Sequence, residues 1–263
     1  MLRVPVHDPA MMTADKSEAF SKVPEITLVF WLIKILATTL GETGGDAVSM
    51  SMDLGYLVGT MIFAAIFVAA VAVQISARKF HPVIYWTTIV ASTTVGTTLA
   101  DFADRSLGIG YTGGTAILSA LLVLSLLTWY RALGSVAVDS VASPKSEFFY
   151  WLTIMFSQTL GTALGDWTAD TAGLGYVGGA LIFSGLLAIV ALAFFFTRIS
   201  RTVLFWSAFI LTRPLGAVVG DFLDKPVNAG GLALSRYSAT AALVALIVAC
   251  IFIFPHRAAR RAH

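Results

Sequence analysis

Four times along the chain a Trp is followed ten residues later by Gly and five further on by Asp: Trp31/Gly41/Asp46, Trp86/Gly96/Asp101, Trp151/Gly161/Asp166 and Trp206/Gly216/Asp221. A spacing kept in four copies calls for four equivalent structural units, because each copy has to satisfy the same local geometry. Every copy also lies in an apolar stretch of about 20 residues, the length that crosses a bilayer core. The repeat therefore places one carboxylate at the same depth of four equivalent helices. A charge in lipid is costly and usually functional, so this register alone makes a site hypothesis.

Apolar stretches of spanning length fall near 26–47, 57–77, 83–103, 111–131, 148–169, 176–197, 202–222 and 233–254. Only 12% of the residues are charged, 57% are hydrophobic and the mean hydropathy is +0.84. Soluble proteins carry about 25% charged residues, so the class is an integral membrane protein of eight transmembrane helices. Lys and Arg in short loops set orientation. One side carries Lys16, Lys22, Arg78, Lys79, Arg131, Lys145, Arg198, Arg201, Arg257, Arg260 and Arg261, the other mainly Arg105, Lys225 and Arg236, so both termini are expected in the cytoplasm.

The spacing between successive Trp residues alternates short, long, short, which divides the chain into two similar halves. Residues 1–24 read as a cytoplasmic lead-in without the apolar core of a signal peptide. Residues 25–133 form the first half, 134–146 a cytoplasmic linker marked by Pro144, 147–254 the second half, and 255–263 a basic cytoplasmic tail. Thr39-Leu40-Gly41 with Gly45-Asp46 recurs as Thr159-Leu160-Gly161 with Gly165-Asp166. Asp101-Phe102-Ala103-Asp104-Arg105 recurs as Asp221-Phe222-Leu223-Asp224-Lys225, so the pattern is ABAB. Two spans per unit mean that all four units enter the membrane in one direction, as parallel repeats about an axis along the membrane normal. Tyr56, Tyr111 and Tyr176 each follow ten residues after the Asp within a glycine-rich motif; the fourth unit departs, with Gly230-Gly231 and only later Arg236-Tyr237.

These residues, two segments per unit with one Trp, then Gly-Asp, then Gly-Tyr-x-Gly-Gly, resemble the bacterial multi-pass membrane proteins defined by four copies of a repeat of unknown function. The likeness covers roughly residues 26–254. It implies an all-α, eight-helix bundle in the bacterial inner membrane and brings no established activity or ligand.

Steps of four residues stay on one helix face. The first helix then reads Lys34, Thr38, Glu42, Asp46; the second Ile89, Thr93, Thr97, Asp101; the third Ile154, Gln158, Thr162, Asp166; the fourth Phe209, Arg213, Ala217, Asp221. Such stripes must face protein or water, since unsatisfied polar groups in hydrocarbon cost several kcal/mol each. Asp46, Asp101, Asp166 and Asp221, with Glu42, Thr97, Thr162 and Gln158, are the candidate ion-binding residues, and Lys34 and Arg213 the candidate charge partners, Glu42 pairing with one of them. Five acids against two bases within the spans favour a cation or protons as counter-species. At 1.5 Å per residue, Asp46 lies about 30 Å along its span, near the non-cytoplasmic rim; a helix broken at Gly41–Gly45 would set it deeper.

Gly41, Gly96, Gly161 and Gly216 read as packing residues, as do the pairs Gly55-x3-Gly59, Gly110-x3-Gly114 and Gly175-x3-Gly179. Trp31, Trp86, Trp151 and Trp206, and the three repeat Tyr residues, read as interfacial anchors. Cys250 alone excludes an intrachain disulfide, and His7, His81, His256 and His263 lie in tails or a loop. With oxygen donors alone, a metal held by the four Asp residues would be hard, Mg, Ca or Mn, arriving as transported ligand with no resident cofactor.

A cation or small-solute transporter or permease is thus the first expectation, and a non-transporting scaffold or assembly module the alternative. An intramembrane enzyme ranks third: the Gly-x-Gly-Asp signature of aspartyl intramembrane proteases is absent, and four equivalent acids do not divide into acid and base. The expected partners are the lipid bilayer and a second copy of the chain, with no nucleic acid.

Overall fold

The computed structural model describes residues 21–259; the charges of the lead-in before Ser21 and Arg260, Arg261 and His263 of the tail lie outside them. Eight α-helices occur among the described residues: α1 (Leu28–Asp46), α2 (Gly55–Ser76), α3 (Pro82–Asp101), α4 (Gly110–Leu133), α5 (Pro144–Asp166), α6 (Gly175–Phe196), α7 (Arg201–Asp224) and α8 (Arg236–Ile253). They coincide with the eight apolar stretches. Five of them, α2, α4, α6, α7 and α8, are long and apolar enough to cross a membrane, which makes this a multi-pass membrane protein. The other three have comparable length and carry the Thr, Gln, Glu and Asp of the polar stripes, which lower their hydropathy.

Local chemistry sets the helix ends. Thr27 caps α1 by accepting from the Phe30 amide, Ser143 caps α5, and α3 and α5 begin with Pro, whose fixed φ suits a first turn. The odd helices are unbroken at their Gly segments. Instead, each of the first three changes winding directly after its Asp, into five-residue π turns at Ala47–Ser51, Phe102–Ser106 and Trp167–Thr171. A π turn inside a helical run is rare and concentrates at functional sites. The chain then reverses through Gly55, Gly110 and Gly175 at φ +74°, +73° and +64°, a conformation that disfavours any side chain. These three glycines are turn residues, not the packing residues expected of them; Gly59 and Gly179 do pack, a Cβ there standing 3.4 Å from Thr98 and 3.1 Å from Val218.

The odd helices form a closed ring, α1 on α3, α3 on α5, α5 on α7 and α7 back on α1. Each even helix leaves its own repeat and packs on the odd helix of the next: α2 on α3, α4 on α5, α6 on α7, α8 on α1. The repeat glycine makes each ring contact close. Gly41 faces Thr93, Gly96 faces Gln158, Gly161 faces Arg213 and Gly216 faces Thr38, always the residue seven past the Trp in the following repeat. Without a hydrophobic force between helices in lipid, this close packing and interhelical hydrogen bonds hold the ring. Thr93 and Thr97 donate to the carbonyls of Ala37 and Gly41 at 3.0 Å, and Thr38 donates to that of Thr212 at 3.2 Å.

Opposite the Asp end, the bundle is filled with aromatic side chains. Phe30, Tyr85, Tyr150 and Phe205, each one residue before the repeat Trp, are buried with Trp86, Trp151, Trp206 and the α4 residue Trp129. The Tyr85 and Tyr150 hydroxyls lie 2.6 Å apart. Trp86, Trp151 and Trp206 are therefore core residues and not the expected interfacial anchors, and Trp31 is half-buried against the same cluster. The linker, Lys22 and the tail close this end: Lys22 meets Glu147 at 2.7 Å, its amide donates to Val141, and the Ala259 amide donates to Val23. The basic residues Arg78, Lys79, Arg131, Lys145, Arg198, Arg201 and Arg257 belong to this end by helix direction.

Candidate functional site

Four side chains, one from each odd helix, form each layer of the ring interior. Starting from the aromatic end, Lys34, Ile89, Ile154 and Phe209 come first, then Thr38, Thr93, Gln158 and Arg213, then Glu42, Thr97, Thr162 and Ala217, and last the four Asp residues. All sixteen are buried. The stripes read from the sequence thus point inward, and the interior they line is packed with side chains.

Lys34 does not extend to water. Its ammonium lies 4.1 Å from the centre of the Phe209 ring and 3.5 Å from Gln158 Oε1, and Gln158 donates onward to Ser92. One layer on, Arg213 Nη2 donates to Glu42 Oε2 at 3.1 Å, to Thr97 Oγ1 at 2.6 Å and to Thr162 Oγ1. A single guanidinium on α7 thereby gathers the equivalent residues of the other three repeats. Arg213 Nε and Nη1 have no hydrogen-bond partner among the described residues.

The four Asp residues do not form one uniform ring. They divide into two pairs, each formed across a repeat boundary and bridged by a basic residue. Lys225 Nζ is 2.6 Å from Asp46 Oδ2 and 3.0 Å from Asp221 Oδ1. Arg105 Nε is 3.0 Å from Asp101 Oδ1, and its Nη2 is 3.3 Å from Asp166 Oδ2. Arg105 is also held by Tyr56, whose hydroxyl accepts at 3.1 Å, and lies 5.8 and 5.7 Å from the ring centres of Tyr56 and Tyr111. Tyr56 and Tyr111 thus also contact the site through Arg105. On the Lys225 side the longer fourth connection brings Arg236 to Asp224 at 2.8 Å and to Asp46 at 3.7 Å. One oxygen each from Glu42, Asp46 and Asp221 lies within 4.8 Å of the others. Burial works against the charge on Lys225, yet Asp221, Asp46 and Asp224 outweigh it and hold the ammonium above the usual lysine range.

Arg105 and Lys225 correct the charge balance taken from the spans. They lie just past the apolar stretches and read as loop charges, but they pair with the carboxylates directly, and the excess of acids over bases falls from three to one. Their signal was present in the Asp-x3-Arg and Asp-x3-Lys spacing, which puts both charges on one helix face.

The repeat geometry has a counterpart in sequence comparison. The profile described as Repeat of Unknown Function (DUF347) matches at residues 29–80, 84–134, 149–200 and 204–259, four copies that cover most of the chain. The chain belongs to the DUF347 family. Each DUF347 copy contributes one odd helix, one axial Asp and one even helix, and the last copy ends in the tail that pairs with the segment before α1. Neither the curated proteins nor the solved structures include a match to the chain.

Proposed function

We propose that this DUF347 protein is a transporter of the bacterial inner membrane for a cation, a hard metal ion or a proton-coupled solute, with both termini in the cytoplasm and the repeat-equivalent carboxylates as its ion-binding groups. The observation that carries this reading is the set of four buried Asp residues at one level of a closed ring, in two pairs that each already hold a basic side chain. Carboxylates that face the interior of a membrane bundle and pair there with basic side chains are the usual makings of an ion pathway, and these stand at its non-cytoplasmic rim. The packed interior corresponds to a closed state, in which Lys225 and Arg105 shut the non-cytoplasmic side and the aromatic layer shuts the cytoplasmic side. No catalytic role is assigned to any of these acids.

The test is cation and proton flux in proteoliposomes. Asp166→Asn is expected to weaken flux, and Asp46→Asn with Asp166→Asn, one carboxylate from each pair, to abolish it while expression and helix content hold. Unaltered flux in the double variant overturns the site. A second reading, a non-transporting scaffold, draws on one observation: both basic bridges join neighbouring repeats, so the pairs can serve as interhelical fasteners. On that reading the double variant loses thermal stability, and neither it nor the parent protein moves any cation.

A further inference from the structure

The outer surface of the bundle differs from one repeat boundary to the next. A cleft of about 210 Å³ lies over the junction of α3 and α5 beside α4. A cleft of about 440 Å³ lies over the junction of α1 and α3, between α2 and α8. Two positions account for the difference. Thirteen residues after the repeat Trp the first copy has Gly44, where the others have Leu99, Leu164 and Val219. Five residues after the Trp the second copy has Ala91, where the others have Leu36, Phe156 and Leu211. Gly44 and Ala91 both line the larger cleft, and their counterparts Leu99 and Phe156 line the smaller one. Side-chain bulk is thus missing at two separate positions of the same boundary.

The larger cleft opens sideways into the bilayer, since Ile66 on its α2 wall and Val244 on its α8 wall are exposed on the outside of the bundle. Left unfilled, its lining would forgo dispersion contacts that an acyl chain supplies. Its length suits one chain. Gly41 faces Thr93, so the two share a level; Val48 lies seven residues from Gly41 toward the Asp end, and Thr87 six residues from Thr93 the other way. The span is about 20 Å at 1.5 Å per residue, against about 15 Å for one leaflet of a hydrocarbon core about 30 Å thick. At the Asp end the mouth carries Tyr237 and Met52. Beside them Arg236 donates to Ser51 Oγ at 3.3 Å and to Asp224 Oδ2 at 2.8 Å, and its side chain stays 21% exposed. The exposed Asp53 stands two residues past Ser51. A cation and an anion therefore flank the mouth.

We propose that this cleft binds one zwitterionic aminophospholipid from the leaflet at the Asp end, with an acyl chain along Gly44 and Ala91, the phosphate on Arg236 and the headgroup ammonium toward Asp53. Charge complementarity selects the head: a guanidinium matches a phosphate, whereas Asp53 and Asp224 oppose a head of net negative charge. Arg236 also lies 3.7 Å from Asp46, so the lipid phosphate engages the same side chain that flanks an axial carboxylate. The proposal is independent of the transport reading.

The experiment gives the purified full-length protein phosphatidylethanolamine with a diazirine on its acyl chain and maps the labelled residues by mass spectrometry after irradiation. Labelling is expected at Gly44, Val48 and Ala91 and not at their counterparts Leu99, Ala103 and Phe156. Native mass spectrometry is expected to show phosphatidylethanolamine held about tenfold more tightly than phosphatidylglycerol, the worth of one charge-assisted contact. Gly44→Leu with Ala91→Leu restores the bulk of the other repeats and should abolish the labelling. Arg236→Gln should lower the affinity about tenfold, and Arg236→Lys should keep most of it. Equal labelling of the two clefts, equal binding of the two lipids, or an affinity unchanged in Arg236→Gln overturns the proposal. If the filled variant does not fold, the comparison of the two clefts and of the two lipids on the unmodified protein decides. A disulfide formed between copies carrying Val244→Cys and Cys250→Ser in native membranes would put a second copy of the chain over the cleft, and overturns the proposal as well.

Discussion

Arg213→Met separates the axial ion pair from ordinary packing. Methionine keeps the Cβ and Cγ against which Gly161 packs, so the ring contact survives and only the guanidinium is lost. In the native bundle that group donates to Glu42, Thr97 and Thr162 and is wholly buried. At 3.1 Å and an effective dielectric of about 20, the Arg213–Glu42 attraction is about 5 kcal/mol before the cost of burial. Removing one member of a buried pair typically costs about 3–5 kcal/mol, because the other is left charged and uncompensated. Here the orphan is Glu42, with oxygens of Asp46 and Asp221 within 4.8 Å, so repulsion adds in the same direction. Equilibrium unfolding in mixed micelles should show a loss in that range, roughly 6–20 °C in the melting temperature by the scaling for domains of this size. Glu42→Gln combined with Arg213→Met should recover most of the loss, since the orphan charge disappears with its partner. A single variant within about 1 kcal/mol of the parent, or two single losses that simply add in the double variant, would refute the reasoning.

Two further outcomes follow from packing. Gly216→Ala drives a methyl into Thr38 where α7 meets α1, and should cost about 1–3 kcal/mol by overpacking, whereas Gly44→Ala, with its nearest neighbours at 3.6 and 3.7 Å, should be close to neutral in the same unfolding assay. Tyr85→Phe leaves the buried Tyr150 hydroxyl without its partner at 2.6 Å and should cost about 1–3 kcal/mol, while Tyr85→Phe with Tyr150→Phe should be less destabilised than the single variant.

The helices and the inward direction of the stripes were legible because both follow from local rules: an apolar run of spanning length, and side chains four apart on one face. Lys34, Thr38, Glu42 and Asp46 could be placed in one line without knowledge of any neighbour. What stands beside that line was not legible. No spacing within a repeat tells that α2 packs on α3 instead of α1, because α1 and α3 present the same kind of glycine-lined face. The division of four Asp residues into two bridged pairs was hidden for another reason. Arg105 and Lys225 fall after the apolar stretch, where the helices wind on for another turn, and that continuation carries the bases back over the acids. The burial of Trp86 and Trp151 was missed because a Trp near a helix start looks the same whether it meets lipid or a closed aromatic layer.

Because every even helix covers the following repeat, neither half of the chain is complete alone: the first would expose the face of α1 that α8 shields, and would leave α4 projecting with nothing to cover. Two separately expressed halves should each find in the other the missing neighbour, so a split gene is expected to reassemble where a truncated one fails. The strands of backbone at Pro24 and Ala258 already lie side by side, so joining the ends and opening the chain between α4 and α5 should yield a permuted protein with the same ring. The seam in this molecule is a matter of where the polypeptide happens to start, and the four units read as a circle cut at one point.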